Sequence, residues 1–312
     1  MSLLSIVVPC YNEAGNLREL HRRLTEVGET LDEPFEIVLV DDGSGDRSEE
    51  ILREITDADP RVRAVCLSRN FGHQAALTAG LDHARGDAVM QLDADLQHPP
   101  ELIPQFVAKW REGFDVVYGY RSEARPRWGY RLINRLMQVS IPPESADFRL
   151  MSRRVVDALR EMPERSRFLR GMVSWLGFRQ TGIAYRDDAR FAGPRAYTLR
   201  QTFQLALNGV LAFSFVPLRA AAVLGLITLV LGILYAAYIL FAYLGGKSMP
   251  GWTGTMMAIL ILGGVQLLCL GLIAEYIGRV FEEVKRRPLY VVRERIGFAS
   301  DASDADLGAR TH

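Results

Sequence analysis

The chain has 312 residues, and its 37 lysines and arginines are matched by 37 aspartates and glutamates. Zero formal net charge excludes a global field that would gather nucleic acid or another polyanion. Cys10, Cys66 and Cys269 lie far apart with no C-x-x-C pair, which excludes a disulfide framework or a cysteine-based zinc site and suits a reducing compartment.

The length allows one large domain or two ordinary ones. The N-terminus, "MSLLSIVVPCYNEAG", has no basic stretch followed by a long apolar run, so no signal peptide is expected. Short apolar runs rich in β-branched residues predict strands at 3–9, 35–41, 62–67, 88–93 and 115–119. Amphipathic patterns between them predict helices at 14–31, 46–57, 72–85 and 100–112. Asp46 with Glu49 has the spacing of a capping box, and Pro99 and Pro100 suit a first helical turn. Alternating strands and helices predict an α/β domain on a mostly parallel sheet. Ligands of such sheets sit beyond the carboxyl ends of the strands. The polar groups lie there: "PCYNEAG", "DDGSGD", "SRNFGHQ", "DADLQ" and "GYR" follow the five strands in turn.

Arginines crowd the next stretch, with Arg121, Arg125, Arg127, Arg131 and Arg135 followed by Arg149, Arg153 and Arg154. In 198–215 the apolar residues Phe203, Leu207, Val210 and Leu211 fall on one helical stripe, which predicts an interfacial amphipathic helix. No charged residue occurs from Ala220 to Gly246 or from Ser248 to Ala274. Each run of about 27 residues makes a helix of roughly 40 Å, enough to cross a ~30 Å hydrocarbon layer. The short connector "GGKSMPG" makes the two spans, about 220–246 and 249–274, a hairpin within 216–280. Arg219, Arg279, Lys285, Arg286 and Arg287 flank its ends against Lys247 at its tip, so the positive-inside rule places both ends in the cytoplasm. Gly225 and Gly232, and Gly264, Gly271 and Gly278, recur at seven and predict close helix contact in lipid. Residues 281–312 read as a cytoplasmic tail whose last dozen small and polar residues are disordered.

In "QLDADLQHPPEL", extended backbone would put Asp93, Asp95 and Gln97 on one face. Oxygen donors so placed suit magnesium or manganese shared with phosphate. The "DDGSG" glycines permit close backbone approach, Asp42 is placed to accept hydrogen bonds from a base or ribose, and arginines grip phosphate. Together these features describe a site for a nucleoside diphosphate bearing a leaving group, beside a membrane.

With "SIVVPCYNEAGNL", "VLVDDGSGDRS", "LSRNFGHQAALTAGLDHARGD", "QLDADLQHPPELI", "DFRLMSRRVVDAL" and "RRPLYVV" in this order, the chain resembles the family 2 glycosyltransferases of GT-A fold. Within them it is similar to the polyprenyl-phosphate glycosyltransferases, relatives of dolichyl-phosphate mannose synthase and bacterial bactoprenol glucosyltransferases. The resemblance implies a GT-A domain over 1–197, then the interfacial helix and hairpin. It implies transfer of a hexose from a nucleotide sugar to polyprenyl phosphate, with magnesium or manganese as cofactor. UDP-glucose ranks first as donor, then GDP-mannose, then UDP-linked aminosugars. It also implies an inner-membrane, multi-pass protein with its catalytic domain on the cytoplasmic side, and a homo-oligomer such as a tetramer.

Residue by residue, Pro9, Tyr11 and Glu13 match the base- and ribose-binding loop, and Asp42 the nucleoside-binding aspartate. Asp93 matches the first D-x-D aspartate, while Asp95 and Gln97 match the metal ligands. Arg121 and Arg135 match phosphate-holding arginines, and Arg69, Arg190 and Arg195 count among the substrate-binding residues. In "RFAGPRAYTLR", Arg195 stands where relatives carry lysine. Asp147 lies where hydroxyl-directed relatives keep a general base, and is expected here to position substrate or basic residues instead. His73 and His98 read as loop or capping residues. Two rivals remain. A polysaccharide synthase would need Q-x-x-R-W, yet "ARPRW" has Ala124 for the glutamine. A non-enzymatic scaffold would not need an intact D-x-D.

Overall fold

The computed structural model describes residues 2–122, 145–165, 167–186, 216–245 and 251–298. Arg135, Arg190, Arg195 and the expected helix at 198–215 lie outside the described residues. The described residues form two compact units, one running through residue 186 and resuming at Arg286, the other holding the two long apolar helices.

The first unit is built on an eight-stranded sheet. In chain order the strands are β1 (Leu4–Cys10), β2 (Phe35–Asp41), β3 (Val62–Leu67), β4 (Ala88–Gln91), β5 (Val116–Arg121), β6 (Ser145–Ser152), β7 (Gln180–Tyr185) and β8 (Val292–Ile296). Their spatial order is β7-β5-β6-β4-β1-β2-β3-β8. β1 pairs in parallel with β2 and β4, β2 with β3, and β5 with β7; β6 runs antiparallel between β4 and β5. Every residue of β1 and β2 is buried, which explains continuous apolar runs rather than an alternating pattern.

Helices cover both faces. On one, α1 (Leu17–Gly28), α2 (Ser48–Ala58) and α4 (Ile103–Arg111) bury Leu20, Leu24, Leu52 and Phe106 against Ile6, Val8, Ile37 and Leu39. On the other, α3 (His73–His83) lies so close to β1 that a Cβ at Gly80 would sit 2.2 Å from a Val7 methyl. The short helices α5 (Arg153–Glu161) and α6 (Leu169–Trp175) follow β6.

Three local expectations change. The capping box does not form: α2 begins at Ser48, whose N–H donates to Asp46 Oδ1 at 3.0 Å. Glu49 is engaged instead by Arg53 and Arg293. β4 stops at Gln91, not residue 93. Most consequentially, the C-terminal segment is not a plain tail. β8 pairs antiparallel with β3, with Ala64 opposite Ile296. Ser68 N–H donates to Val291 O at 2.9 Å, the Tyr290 hydroxyl donates to Asp82 at 2.7 Å, and Arg53 pairs with Glu294. "RRPLYVV" thus leads into a strand, "VRERI", that closes a sheet edge that would otherwise be open.

The second unit contains α7 (Val216–Leu244) and α8 (Trp252–Val284). Segments of 27 and 31 residues in them are long and apolar enough to cross a membrane. Their large side chains, among them Leu226, Leu231, Phe241, Leu260 and Leu267, point outward, which suits hydrocarbon and not water. A Cβ added at Gly225, Gly232, Gly264, Gly271 or Gly278 would meet nothing within 4 Å. These glycines therefore do not make the contact between the two helices. The described helices approach each other at Gly254, where an added Cβ would lie 3.0 Å from the Tyr235 hydroxyl, and at Cys269, whose Sγ lies 3.7 Å from Ala221 O.

Candidate active site

The carboxyl ends of β1 to β5 share one rim, and because β6 is antiparallel its first residues, including Asp147, arrive at the same rim. The loops after β1 and β2 are laced together there. Asn12 adopts φ 56, its N–H donates to Ser44 Oγ, and its side-chain oxygen accepts the Gly45 N–H, both at 2.9 Å. Glu13 N–H donates to Ser48 Oγ at 3.0 Å, and Ala14 N–H to Asp46 Oδ2 at 3.2 Å. Pro9 is buried near the end of β1, and Tyr11, just beyond that strand, is exposed. Glu13 reaches the Asn16 side chain.

Asp42 accepts the Phe71 N–H at 2.7 Å through one oxygen and the Gly72 N–H at 2.9 Å through the other. Burial nonetheless pushes its carboxyl above the usual aspartate range, against those two amides. Asp42, expected to meet a nucleoside, is thus already engaged in fixing the loop after β3. Gly43 passes so close to that loop that a Cβ would lie 2.4 Å from the Arg69 backbone carbon, and its φ is 69°. Both facts demand glycine there. Arg69 lies 4.0 Å over the Phe71 ring and donates to Asn70 O.

The D-x-D stretch is a turn rather than extended backbone, with Leu96 at φ 62°. The strand argument for one shared face therefore fails in its geometry. Burial still alternates: Leu92, Ala94, Leu96 and His98 are buried while Asp93, Asp95 and Gln97 are half-exposed. The turn is held from inside. His98 Nδ1 accepts the Asp93 N–H at 3.1 Å, and its ring stacks on Phe148 with centroids 5.0 Å apart. Gln97 N–H donates to Asp95 Oδ1 at 3.1 Å. Among the described residues no three His, Cys, Asp or Glu side chains converge as a closed metal cage. The donor chemistry fits a hard divalent cation all the same. Two carboxylates and an amide on one half-exposed side leave coordination positions for a diphosphate, and Asp93 Oδ1 is buried without a hydrogen bond.

Behind the turn lies a cluster around Asp147. Arg170 Nε and Nη2 donate to its two carboxylate oxygens at 2.9 and 3.1 Å, and Arg149 Nη2 donates at 3.3 Å. Gln74 Nε2 adds a contact at 3.4 Å, and His73 Nε2 lies 3.4 Å away. Burial opposes ionisation, but Arg170, the His73 hydrogen bond and Arg149 together hold the Asp147 carboxyl well below the usual range. Burial lowers the Arg149 pKa to about 10. Arg121 ends β5 on the same rim, half-buried and opposite Tyr185.

The comparisons with known proteins agree with this arrangement. Residues 5–160 match glycosyl transferase family 2. A protein of Synechocystis described as an uncharacterized glycosyltransferase is 44% identical over 304 residues, covering 94% of this chain and 96% of its own. The chain belongs to glycosyl transferase family 2. Its membrane portion matches a second family description, the GtrB C-terminal hairpin, over residues 216–280. Similar members include the SfII prophage-derived bactoprenol glucosyl transferase of Shigella flexneri, 38% identical over 93% of this chain and 97% of its own. The prophage bactoprenol glucosyl transferase homolog of Escherichia coli is 37% identical over 93% of this chain and 98% of its own. Among solved structures, a glucosyl-3-phosphoglycerate synthase of Mycobacterium tuberculosis aligns over 67% of this chain and 76% of its own at 20% identity, with a TM-score of 0.49. The GT-A type of α/β domain expected of the family is the domain observed.

Of the family-matched residues described, Pro9, Tyr11, Glu13, Asp42, Arg69, Asp93, Asp95, Gln97, Arg121 and Asp147 all reach the one rim. Sequence reading undervalued His73, Gln74, Arg149, Arg170 and His98. Arg170 stands 23 residues beyond Asp147, and no spacing rule connects the two. A usable signal lay in "FGHQ", where two polar residues directly follow a glycine in the left-handed region, with φ 97° at Gly72.

Proposed function

We propose that this family 2 glycosyltransferase moves a hexose from a nucleotide sugar to the phosphate of a polyprenyl phosphate, with inversion at the anomeric carbon. UDP-glucose is the first choice of donor and GDP-mannose the second. One observation carries this reading: the carboxylate at the base position, Asp147, is committed to Arg170, Arg149, Gln74 and His73. A hydroxyl acceptor needs a base to take its proton. A phosphate monoester, with a second pKa near 6, is largely dianionic at neutral pH and needs none. Full-length similarity to proteins named bactoprenol glucosyl transferases supports the lipid acceptor, and the two long apolar helices support a reaction at the membrane.

In this scheme a phosphate oxygen attacks the anomeric carbon while the bond to the nucleoside diphosphate breaks, and that group leaves with the electron pair. The chain's task is to let two anions approach. The laced loops at Tyr11–Asn16 and Asp42–Asp46 seat the nucleoside, and Asp42 keeps the 71–72 loop in register with them. Arg121 and Arg135 orient the acceptor phosphate, and Arg190 and Arg195 add positive charge. Asp95 and Gln97, with Asp93 beside them, would hold magnesium or manganese. Such an ion stabilises a departing diphosphate. The excess of cations at the hairpin ends favours a multi-pass protein with the catalytic domain on the cytoplasmic side.

The test is a panel of labelled nucleotide sugars offered to the purified protein with undecaprenyl phosphate and manganese, scored for label in the organic phase. UDP-glucose should give the strongest signal, and chelator should remove it. Transfer to a sugar hydroxyl instead of to the lipid phosphate would overturn the acceptor. Undiminished transfer in chelator would overturn the metal.

A further inference from the structure

Asp147 is gripped by two guanidinium groups that differ in exposure. Arg149, two residues on along β6, is 3% exposed, while Arg170, at the start of α6, is 36% exposed. Arg149 already gives the buried carboxylate a counter-charge at 3.3 Å. Arg170 therefore brings a second positive charge that the burial of Asp147 does not require. Its Nε and Nη2 meet the two carboxylate oxygens at 2.9 and 3.1 Å. In that side-on fork the Nη1 edge of the planar group points away from the carboxylate. Asp147 is only 6% exposed, so water reaches Arg170 from the side that the carboxylate does not occupy.

The guanidinium is also fixed in place. Gln74 accepts the Leu169 N–H at 3.1 Å, one residue before Arg170, and donates to Asp147 at 3.4 Å. One side-chain amide thus ties the start of α6 and the rim end of β6 to the first turn of α3. The D-x-D turn is close by. His73, at the start of α3, has its Nε2 3.4 Å from Asp147 Oδ2 and 3.5 Å from Asp93 Oδ1. A single ring therefore separates the Asp147–Arg170 pair from the turn.

We propose that Arg170 is a further substrate-binding residue, whose guanidinium contacts the phosphate of the acceptor, and that Asp147 is the positioning residue that aims it. The inference rests on the lipid phosphate proposed above as acceptor. An attacking phosphate oxygen must come within about 3–3.5 Å of the anomeric carbon. It must therefore lie beside the diphosphate that the D-x-D turn serves. A fixed, half-exposed cation one ring away from that turn meets the requirement. The planar fork of arginine matches two oxygens of a phosphate. Because Asp147 already orders the side chain, binding a phosphate does not have to. The donor diphosphate offers the same kind of oxygen, so the test measures donor and acceptor separately.

The experiment compares Arg170→Met, Arg170→Lys and the unaltered full chain in detergent. It measures the affinities of UDP-glucose, farnesyl phosphate and farnesol, and steady-state transfer to undecaprenyl phosphate. UDP-glucose affinity should stay within about threefold in all three proteins, which also shows that they fold. Arg170→Met should weaken farnesyl phosphate by about tenfold or more, leave farnesol unchanged, and raise KM for undecaprenyl phosphate by a similar factor. Arg170→Lys keeps the charge without the fork and should fall between the other two. It carries the comparison should the methionine variant not fold. A residue that only braced α6 against β6 would disturb phosphate and alcohol alike. Equal farnesyl phosphate affinities in the variants and the unaltered chain, or an equal loss for farnesol, would overturn the role of Arg170. A loss confined to UDP-glucose would also overturn it, and would assign Arg170 to the donor diphosphate. If the unaltered chain binds farnesyl phosphate but transfers no sugar to the lipid, the proposed reaction fails, and the farnesyl phosphate affinities still decide the role of Arg170.

Discussion

Arg170 grips Asp147 with two parallel hydrogen bonds, Nε to Oδ1 at 2.9 Å and Nη2 to Oδ2 at 3.1 Å. The pair joins α6 to the rim end of β6 and turns a buried carboxylate into an anchor for cations. Asp147→Asn should therefore reduce activity without removing a titration. Both limbs of the pH–rate profile should keep their positions in the variant, while kcat falls by roughly tenfold or more as the arginines lose their anchor. A limb that disappears in Asp147→Asn would identify Asp147 as a general base. Asp147→Ala removes the buried carboxylate that Arg149 and Arg170 share and should cost about 3–5 kcal/mol in denaturant unfolding.

Gly43 should tolerate no side chain. Alanine there carries about 1–2 kcal/mol of left-handed backbone strain. It also carries a Cβ that would sit 2.4 Å from the backbone of Arg69. Gly43→Ala should weaken nucleotide-sugar binding by about tenfold or more, because relief of the clash must part the loops after β2 and β3. Gly45, where an added Cβ meets nothing within 4 Å, is the matched control. Isothermal titration with the nucleotide sugar distinguishes the two, and equal affinities would remove the packing argument.

The C-terminal strand should be part of the folded domain. Removing residues 286–312 unpairs β3 and discards the Tyr290–Asp82 hydrogen bond and the Arg53–Glu294 and Arg293–Glu49 pairs. Urea unfolding of the truncated chain in detergent should show a loss of at least about 2 kcal/mol, together with faster aggregation through the open edge. Unchanged stability would mean that β8 only rests against the sheet.

Asp59 supplies a pH-dependent share of stability. Its carboxylate receives Arg61 Nε and Nη2, both at 2.9 Å, and the Arg61 N–H at 3.0 Å, with His21 Nε2 at 3.1 Å. The Arg61 hydrogen bond is the largest influence, and against the opposing effect of burial these contacts lower the pKa to about 2. A carboxyl depressed on folding stabilises above its unfolded pKa near 4 and loses that contribution as pH falls toward 2. Asp59→Asn should thus be less stable than the unaltered chain at pH 7 by up to about 2 kcal/mol, and the gap should close near pH 2. A gap that persists at acid pH would assign the cost to packing.

The sequence by itself determined the α/β class, the two apolar helices and the family. Each of these follows from local pattern: fully buried strands read as continuous apolar runs, and uncharged stretches of helical length need no partner to be recognised. The position of Asp93, Asp95 and Gln97 on one side was legible too, though for the wrong reason, since buried Leu92, Ala94, Leu96 and His98 orient them through a turn rather than a strand. What the tertiary structure decided is which charges meet. Whether Asp147 could serve as a base depended on Arg170, 23 residues away, and on His73 and Gln74, more than 70 residues earlier. Whether 286–298 was tail or strand depended on an unpaired edge at β3. Hydropathy and spacing report a residue's own neighbourhood along the chain, whereas ion pairs and sheet edges are satisfied by whatever the fold brings alongside.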